Sequence, residues 1–297
     1  MRVTFNKEFR DSADAIARNA AELSARQREV SSGRRIHSPS DDPSGTAAAI
    51  AERAEMATTD RYRQAADSVV SRLSVVDTAL SELSDQTSAA RVSVMSARGS
   101  TVSATQREAA AKRLEGVRDA VLSAMNTKFR GTYLFAGNEG STRPYDRIGD
   151  AISAYQGGDD AIAVDIDRQL AVGVGLAGSG IMQGGDSEDL FAVLDGLIAA
   201  ARSNDGSAME SGISGLDRAA TRIASAQMRV GTDLADVDVH TQQLDTRRLA
   251  SLSRLSSLED VNLAQSISAM TKAETAYRAA LGAVNSTQQL SLLDYLK

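Results

Sequence analysis

The chain has no cysteine and no tryptophan. Without thiols it can build no disulfide, no thiolate nucleophile and no cysteine-based metal site. Histidine is nearly as scarce: His37 and His240 are the only two and lie far apart in sequence, so a His-rich metal or triad site is not expected. Aromatic residues make up 4% of the 297 residues, although hydrophobic residues reach 42%. Wide enzyme cores lean on aromatic side chains, whereas helical rods pack with Ala, Leu and Val, so the balance favours long and helical over compact. No run of about 18 apolar residues occurs, so nothing is expected to span a membrane. The opening MRVTFNKEFRDSADAI lacks the apolar core of a secretory signal. If the protein leaves the cell, it takes a route that cleaves no signal peptide.

What is there is a repeated spacing. Near the start, Phe9, Ile16, Leu23 and Val30 fall seven residues apart, with Ala13, Ala20 and Gln27 between them. Near the finish, Leu263, Met270, Tyr277 and Val284 repeat the spacing, with Ile267, Glu274, Leu281 and Gln288 between. Alternating steps of three and four place such residues on one narrow helical stripe, the seam of a coiled coil. A helix with one apolar stripe must bury it, and the other end of the chain is the first partner to consider.

The interior reads as an outward and a returning path. A first helix over about 6–30 is stopped by Ser31-Ser32-Gly33. Two of the three prolines, Pro39 and Pro43, follow, and Asp42-Pro43 reads as an N-cap with proline at the first helical position. A long helix to about Arg98 carries the stripe Val69, Leu73, Val76, Leu80, Leu83, Thr87, Ala90 and Val94. At ~1.5 Å per residue, roughly fifty residues would extend about 75 Å. Gly99 breaks it, and Thr105 with Glu108 offers a capping box for the next helix. From Phe129 to Asn138 the character changes, and 161–167 with 169–174 reads as a β-hairpin. A second very long helix follows, with Ile213, Leu216, Ala220, Ile223, Gln227, Val230, Leu234, Val237, Thr241 and Leu244 as its stripe, continuing with little interruption into the terminal one.

The expected fold is therefore mostly α with a small β-rich insert. It is an elongated antiparallel helical bundle or coiled coil with paired N- and C-terminal helices. Three regions are expected: terminal helices 1–43 with 260–297, a long-helix rod 44–137 with 188–259, and an outer insert 138–187. Net charge is −6, which speaks against a nucleic-acid binder. Residues 137–190 hold ten carboxylates against three arginines, a net of −7, so the insert is the acidic part.

These residues resemble the flagellin family of bacterial flagellar axial proteins. Ser31-Ser32-Gly33-Arg34-Arg35-Ile36 followed by Ser40-Asp41-Asp42-Pro43 is similar to the family's amino-terminal stretch. Pro39 and Pro43 around the paired aspartates, where Ala-Lys and small residues are usual, are similar to the hook-associated members. So are Asn126-Thr127-Lys128-Phe129-Arg130-Gly131-Thr132-Tyr133-Leu134-Phe135-Ala136-Gly137 and the ending Leu292-Leu293-Asp294-Tyr295-Leu296. The likeness covers roughly 1–137 and 188–297 and says little about 138–187. It implies a structural role where hook meets filament, with unfolded export through the flagellum's own type III channel. It also implies a chaperone on the C-terminal helix and a ring of copies between a neighbouring hook-associated protein and flagellin. A short flagellin forming the filament itself is the alternative. No enzymatic activity, cofactor, membrane or nucleic-acid partner is expected.

Three groups of residues follow as candidates. Phe9, Ile16, Leu23, Val30, Ile267, Met270, Tyr277, Leu281 and Val284 are expected to pack subunits together. Their stripes are thin and surrounded by Ala, Ser and Gln, so an isolated helix pair buries little and is marginal. They are expected to complete their packing, and their order, only against neighbouring copies. Arg34, Arg35, Asp41, Asp42 and Pro43 form an interlayer linker, with Asp41-Asp42 read as capping carboxylates rather than metal ligands or acid–base catalysts. Phe129, Tyr133 and Phe135 are expected to anchor the insert to the helices. Asp159, Asp160, Asp165 and Asp167 lack the further ligands of a calcium loop and read as solvated surface.

Overall fold

The computed structural model describes the backbone of residues 2–99 and 101–295, and the side chains of residues 7, 10–99 and 101–285. Seven helices are seen among them: α1 Arg2–Ser32, α2 Pro43–Ala97, α3 Ala104–Met125, α4 Gly178–Met182, α5 Leu190–Ser203, α6 Gly206–Glu259 and α7 Leu263–Tyr295. Between α3 and α5 lie three antiparallel strand pairs: β1 Lys128–Phe129 with β2 Thr132–Tyr133, β3 Arg147–Ile148 with β4 Ala151–Ile152, and β5 Ala163–Asp167 with β6 Leu170–Gly173. The architecture is mostly α with a small β-rich insert, as the periodicity indicated. By contacts the chain divides into a unit of 1–58 with 247–297 and a unit of 59–246; α2 and α6 contribute residues to both.

The second unit holds the main core. From α2 come Val69, Leu73, Val76, Leu80, Leu83 and Val94, and from α3 Leu114, Val117, Val121 and Met125. Leu190, Leu194 and Leu197 of α5 and Ile213, Leu216, Ile223, Val230 and Val237 of α6 complete it. The three-four alternation is what brings these residues to one side of each helix. Cross-links from α2, and from Arg98 just past its end, to α6 fix direction and register. Arg63 pairs with Asp245 at 2.8 Å, Gln227 Nε2 donates to Ser81 Oγ at 3.3 Å, Arg91 pairs with Asp217 at 2.7 Å, and Arg98 pairs with Glu210. Each step forward on α2 is matched by an equal step back on α6, so the two run antiparallel without a slip. These ion pairs are largely exposed and contribute ~0–1 kcal/mol apiece; they set register more than stability.

Three details depart from the sequence reading. The capping box of α3 uses Ser103 and Gln106, two residues before Thr105 and Glu108, because Ser103 takes the extended conformation that frees its hydroxyl for the Gln106 amide. Ala219, not Ala220, lies in the α6 seam. α6 does not continue into α7: the helix stops at Glu259 and restarts at Leu263, where Asn262 caps the Gln265 amide at 3.2 Å. No glycine or proline marks this break. Its only sequence signal is Asn262 followed three residues later by Gln265.

The hairpin at 161–174 forms as expected, with Val164 opposite Val172 and Asp165 opposite Ala171. Ile166, Val172 and Val174 are its buried contributions to the core, while Asp165 faces out. The insert is held from several helices through its backbone. Arg72 of α2 donates to the Val174 carbonyl at 2.7 Å, Arg118 of α3 to that of Asp150 at 2.8 Å, and Arg222 of α6 to those of Ile181 and Met182 at 3.1 and 2.8 Å.

Candidate assembly surface

In the first unit α1 packs along α7. Ser266 and Ala273 are buried, and Met270, Tyr277, Ala280 and Val284 are half-buried. These positions step by four and three along one face of α7. On α1 the half-buried set includes Ser12, Ile16, Asn19, Leu23, Arg26 and Val30, again one face. So the seam of the pair holds Ile16, Leu23, Val30, Met270, Tyr277 and Val284 of the sequence candidates. Its intervening positions are small or polar. The Phe9 side chain lies outside the described residues.

Ile267 and Leu281 are placed differently. They are 48% and 42% exposed, and Leu263 is 53% exposed, so these three make a second, outward stripe on α7 beside the one that meets α1. Within the chain the described residues leave these three apolar side chains uncovered.

The crossing from α1 to α2 is tightly bonded although mostly exposed. Gly33 adopts φ +69° and its amide bonds the Glu29 carbonyl at 2.9 Å, closing α1 in the left-handed conformation that suits glycine. Asp41 accepts from the amides of Ser38 at 2.8 Å and His37 at 3.0 Å. Asp42 caps α2, accepting from the Gly45 amide at 2.8 Å and the Ser44 hydroxyl at 2.9 Å. A Cβ on Gly45 would meet Asp42 Oδ2 at 2.4 Å and Ile36 Cδ1 at 2.8 Å, so only glycine lets the cap close.

Both carboxyls therefore sit below the ordinary value of 3.8: Asp41 through the Ser38 and His37 amides, Asp42 through the Gly45 amide, the Ser44 hydroxyl and Arg35. Glu52 lies below 4.5 because Arg254 donates to it, at 2.7 and 3.1 Å. A carboxylate with a depressed folded pKa contributes stability that is complete above its unfolded value and is lost as pH falls through the folded one. Acid should thus loosen the first unit, through Glu52 from pH 4.5 downward and through Asp41 and Asp42 from pH 3.8 downward. Amide exchange at 38–45, corrected for the intrinsic rate, should rise there before exchange at 69–94 does.

Arg35 reaches beyond the crossing, to the Asp42 carboxylate at 3.1 Å and the Leu258 carbonyl at 3.0 Å. Arg34 is exposed and stands opposite Asp260 in an isolated antiparallel bridge. Glu259 is 6% exposed and is paired with Arg53 at 2.6 Å. The sequence reading missed Arg53, Leu258, Glu259 and Asp260. No local pattern announces a partner 206 residues away.

At the insert, Phe135 is fully buried in the core and Phe129 half-buried against it. The Phe135 carbonyl takes the Gly178 amide and the Tyr155 hydroxyl, each at 2.9 Å. Tyr133 is only half-buried and lies under Lys128 Nζ, 4.4 Å from its ring centre. The aromatic cluster that sequence reasoning missed is Tyr145, Tyr155 and Phe191, with Tyr145 5.6 Å from Tyr155 and 5.1 Å edge-on to Phe191. Burial raises the pKa of both tyrosines. Among the described residues no three His, Asp or Glu side chains come together as metal ligands, and no helix is long and apolar enough to cross a membrane.

The N-terminal helical region of bacterial flagellin matches residues 10–140. Over full length the chain is 25% identical to flagellar hook-associated protein 3 of Escherichia coli, covering 100% of both. In fold it is similar to a structure described as a flagellar hook-associated protein of Vibrio parahaemolyticus, with TM-score 0.70, 18% identity, and 74% of this chain and 100% of that one covered. It is likewise similar to the flagellar junction protein FlgL of Legionella pneumophila, with TM-score 0.58, 12% identity, and 72% and 100% covered. The matched helical region, the motifs around Asp41-Asp42 and Tyr133-Leu134-Phe135, and this full-length likeness agree: over residues 10–140 the chain matches the N-terminal helical region of bacterial flagellin, and it is similar throughout to flagellar hook-associated protein 3.

Proposed function

We propose that the chain is a structural subunit of the bacterial flagellum that joins hook to filament by helical packing. The observation that carries this reading is the second apolar stripe of α7. Leu263, Ile267 and Leu281 stay exposed while the adjoining face of the same helix meets α1. A seam of small and polar residues buries little area, so the pair gains most when a neighbour covers the outer stripe. Repeated around an axis, a head-to-tail contact of this kind closes into a ring. Phe9, Ile16, Leu23, Val30, Ile267, Met270, Tyr277, Leu281 and Val284 would then form its inner layer. Arg34, Arg35, Asp41, Asp42 and Pro43 would link that layer to the outer helices. The three-part division into 1–43 with 260–297, 44–137 with 188–259, and 138–187 belongs to the same proposal, with Phe129, Tyr133 and Phe135 anchoring the outermost part.

The partners on this reading are further copies, an adjoining hook-associated protein on one side and flagellin on the other. A chaperone would hold the C-terminal helix before export. The route is the flagellar type III channel without a cleaved signal, which delivers the protein outside the cell at the end of the hook. No catalytic step is assigned. Full-length likeness to hook-associated protein 3 supports the junction role over that of a filament subunit. Deleting the gene tests it: intact hooks should remain while filament protein is shed into the medium, and the gene supplied in trans should restore attachment. Filaments that stay attached in the deletion strain overturn the proposal.

A further inference from the structure

We infer that the two helix crossings of the first unit, 33–42 and 260–262, form one coupled joint with Arg35 as its pin. Four helix ends meet there: the close of α1, the start of α2, the close of α6 and the start of α7. Two reciprocal backbone bonds join the crossings, from the Arg35 amide to the Glu259 carbonyl at 2.6 Å and from the Val261 amide to the Gly33 carbonyl at 3.0 Å. The Leu258 and Glu259 carbonyls belong to the last turn of α6, where carbonyls lack helical partners. Arg35 satisfies both, one with its side chain and one with its main chain.

The same guanidinium holds Asp42, whose other oxygen caps α2. A fork of several fixed donors can bridge a carboxylate and a carbonyl at once, which a lysine's point charge does less well. Arg53 adds a second tie, from the α2 side to the buried Glu259. Neither crossing can therefore change its bend alone. Opening 33–35 strips the partners from 259 and 261, and swinging 259–261 away releases Arg35 and loosens its hold on Asp42. The joint is closed or open as a whole, and α1 and α7 turn together and stay paired as they turn. This is a property of the single chain and does not depend on the proposed assembly.

Hydrogen exchange on the full-length chain tests the coupling. The Val261 amide makes no bond to the Arg35 side chain, so a merely local role for that side chain leaves it unmoved. Arg35→Ala should speed exchange about tenfold at Val261 as well as at 33–38, the size expected for losing one to two net hydrogen bonds. Glu259→Gln, made at the end of α6 that leads into the other crossing, should speed exchange at 35–38 in the same way. It keeps the question answerable if Arg35→Ala fails to fold. Arg18→Ala, on the exposed surface of α1, serves as the control and should change neither segment. Faster exchange confined to the substituted crossing, or no change at either, overturns the inference.

Discussion

Replacing Phe135 with alanine should lower the unfolding free energy by about 3–5 kcal/mol, the range for a buried aromatic that leaves a cavity. The side chain is fully buried among residues of the helical core. Its backbone stands where the chain leaves the helices: the carbonyl takes bonds from Gly178 and Tyr155, and Ala136 pairs with Ala177. Losing the ring opens the core and lets the first segment of the insert shift with it. Tyr133→Ala, two residues earlier, removes a half-buried ring packed under Lys128 and should cost under ~1 kcal/mol. Chemical denaturation of the two variants separates them. Equal midpoints would mean that Phe135 does not anchor the insert.

The outward stripe of α7 should behave in the opposite way. A triple variant, Leu263→Asp with Ile267→Asp and Leu281→Asp, places charge where the single chain is already solvated. Each exposed substitution should change stability by no more than ~0.5 kcal/mol. Asp at 263 even sits favourably at a helix start. In a neighbour's seam, however, each carboxylate would be buried without a partner, a cost of several kcal/mol repeated in every copy. Folded, exported protein with detached filaments and lost motility is the expected result. Normal flagella would show that the stripe meets nothing. A large fall in the denaturation midpoint would show that it is internal to the fold.

Much of the fold was legible because it is periodic. The stripes from Val69 to Val94 and from Ile213 to Leu244 repeat over many turns, and nearly all of their apolar members are buried. The stop at Gly33, the cap at Asp42 and the hairpin around 163–173 are written in local residue types. Three things were not legible. The end of α6 carries no breaker, because its turn is held by long-range bonds to the Gly33 carbonyl and from Arg35. The seam of α7 runs through Ser266, Ala273 and Ala280, and small residues give a weaker signal than Ile267 and Leu281 on the uncovered face. The Tyr145, Tyr155 and Phe191 cluster joins residues separated by loops of no clear period. In the candidate surface, residue types pointed to the linker and the stripes, but only the packed chain shows which stripe is covered.

The central claim is location: a subunit whose exposed stripe is completed by neighbours at one place along the flagellum. Immunogold labelling of isolated flagella tests it most directly. Label confined to the boundary between hook and filament is the predicted result, with a few particles per flagellum. Label spread along the whole filament would contradict the account and make the chain a filament subunit.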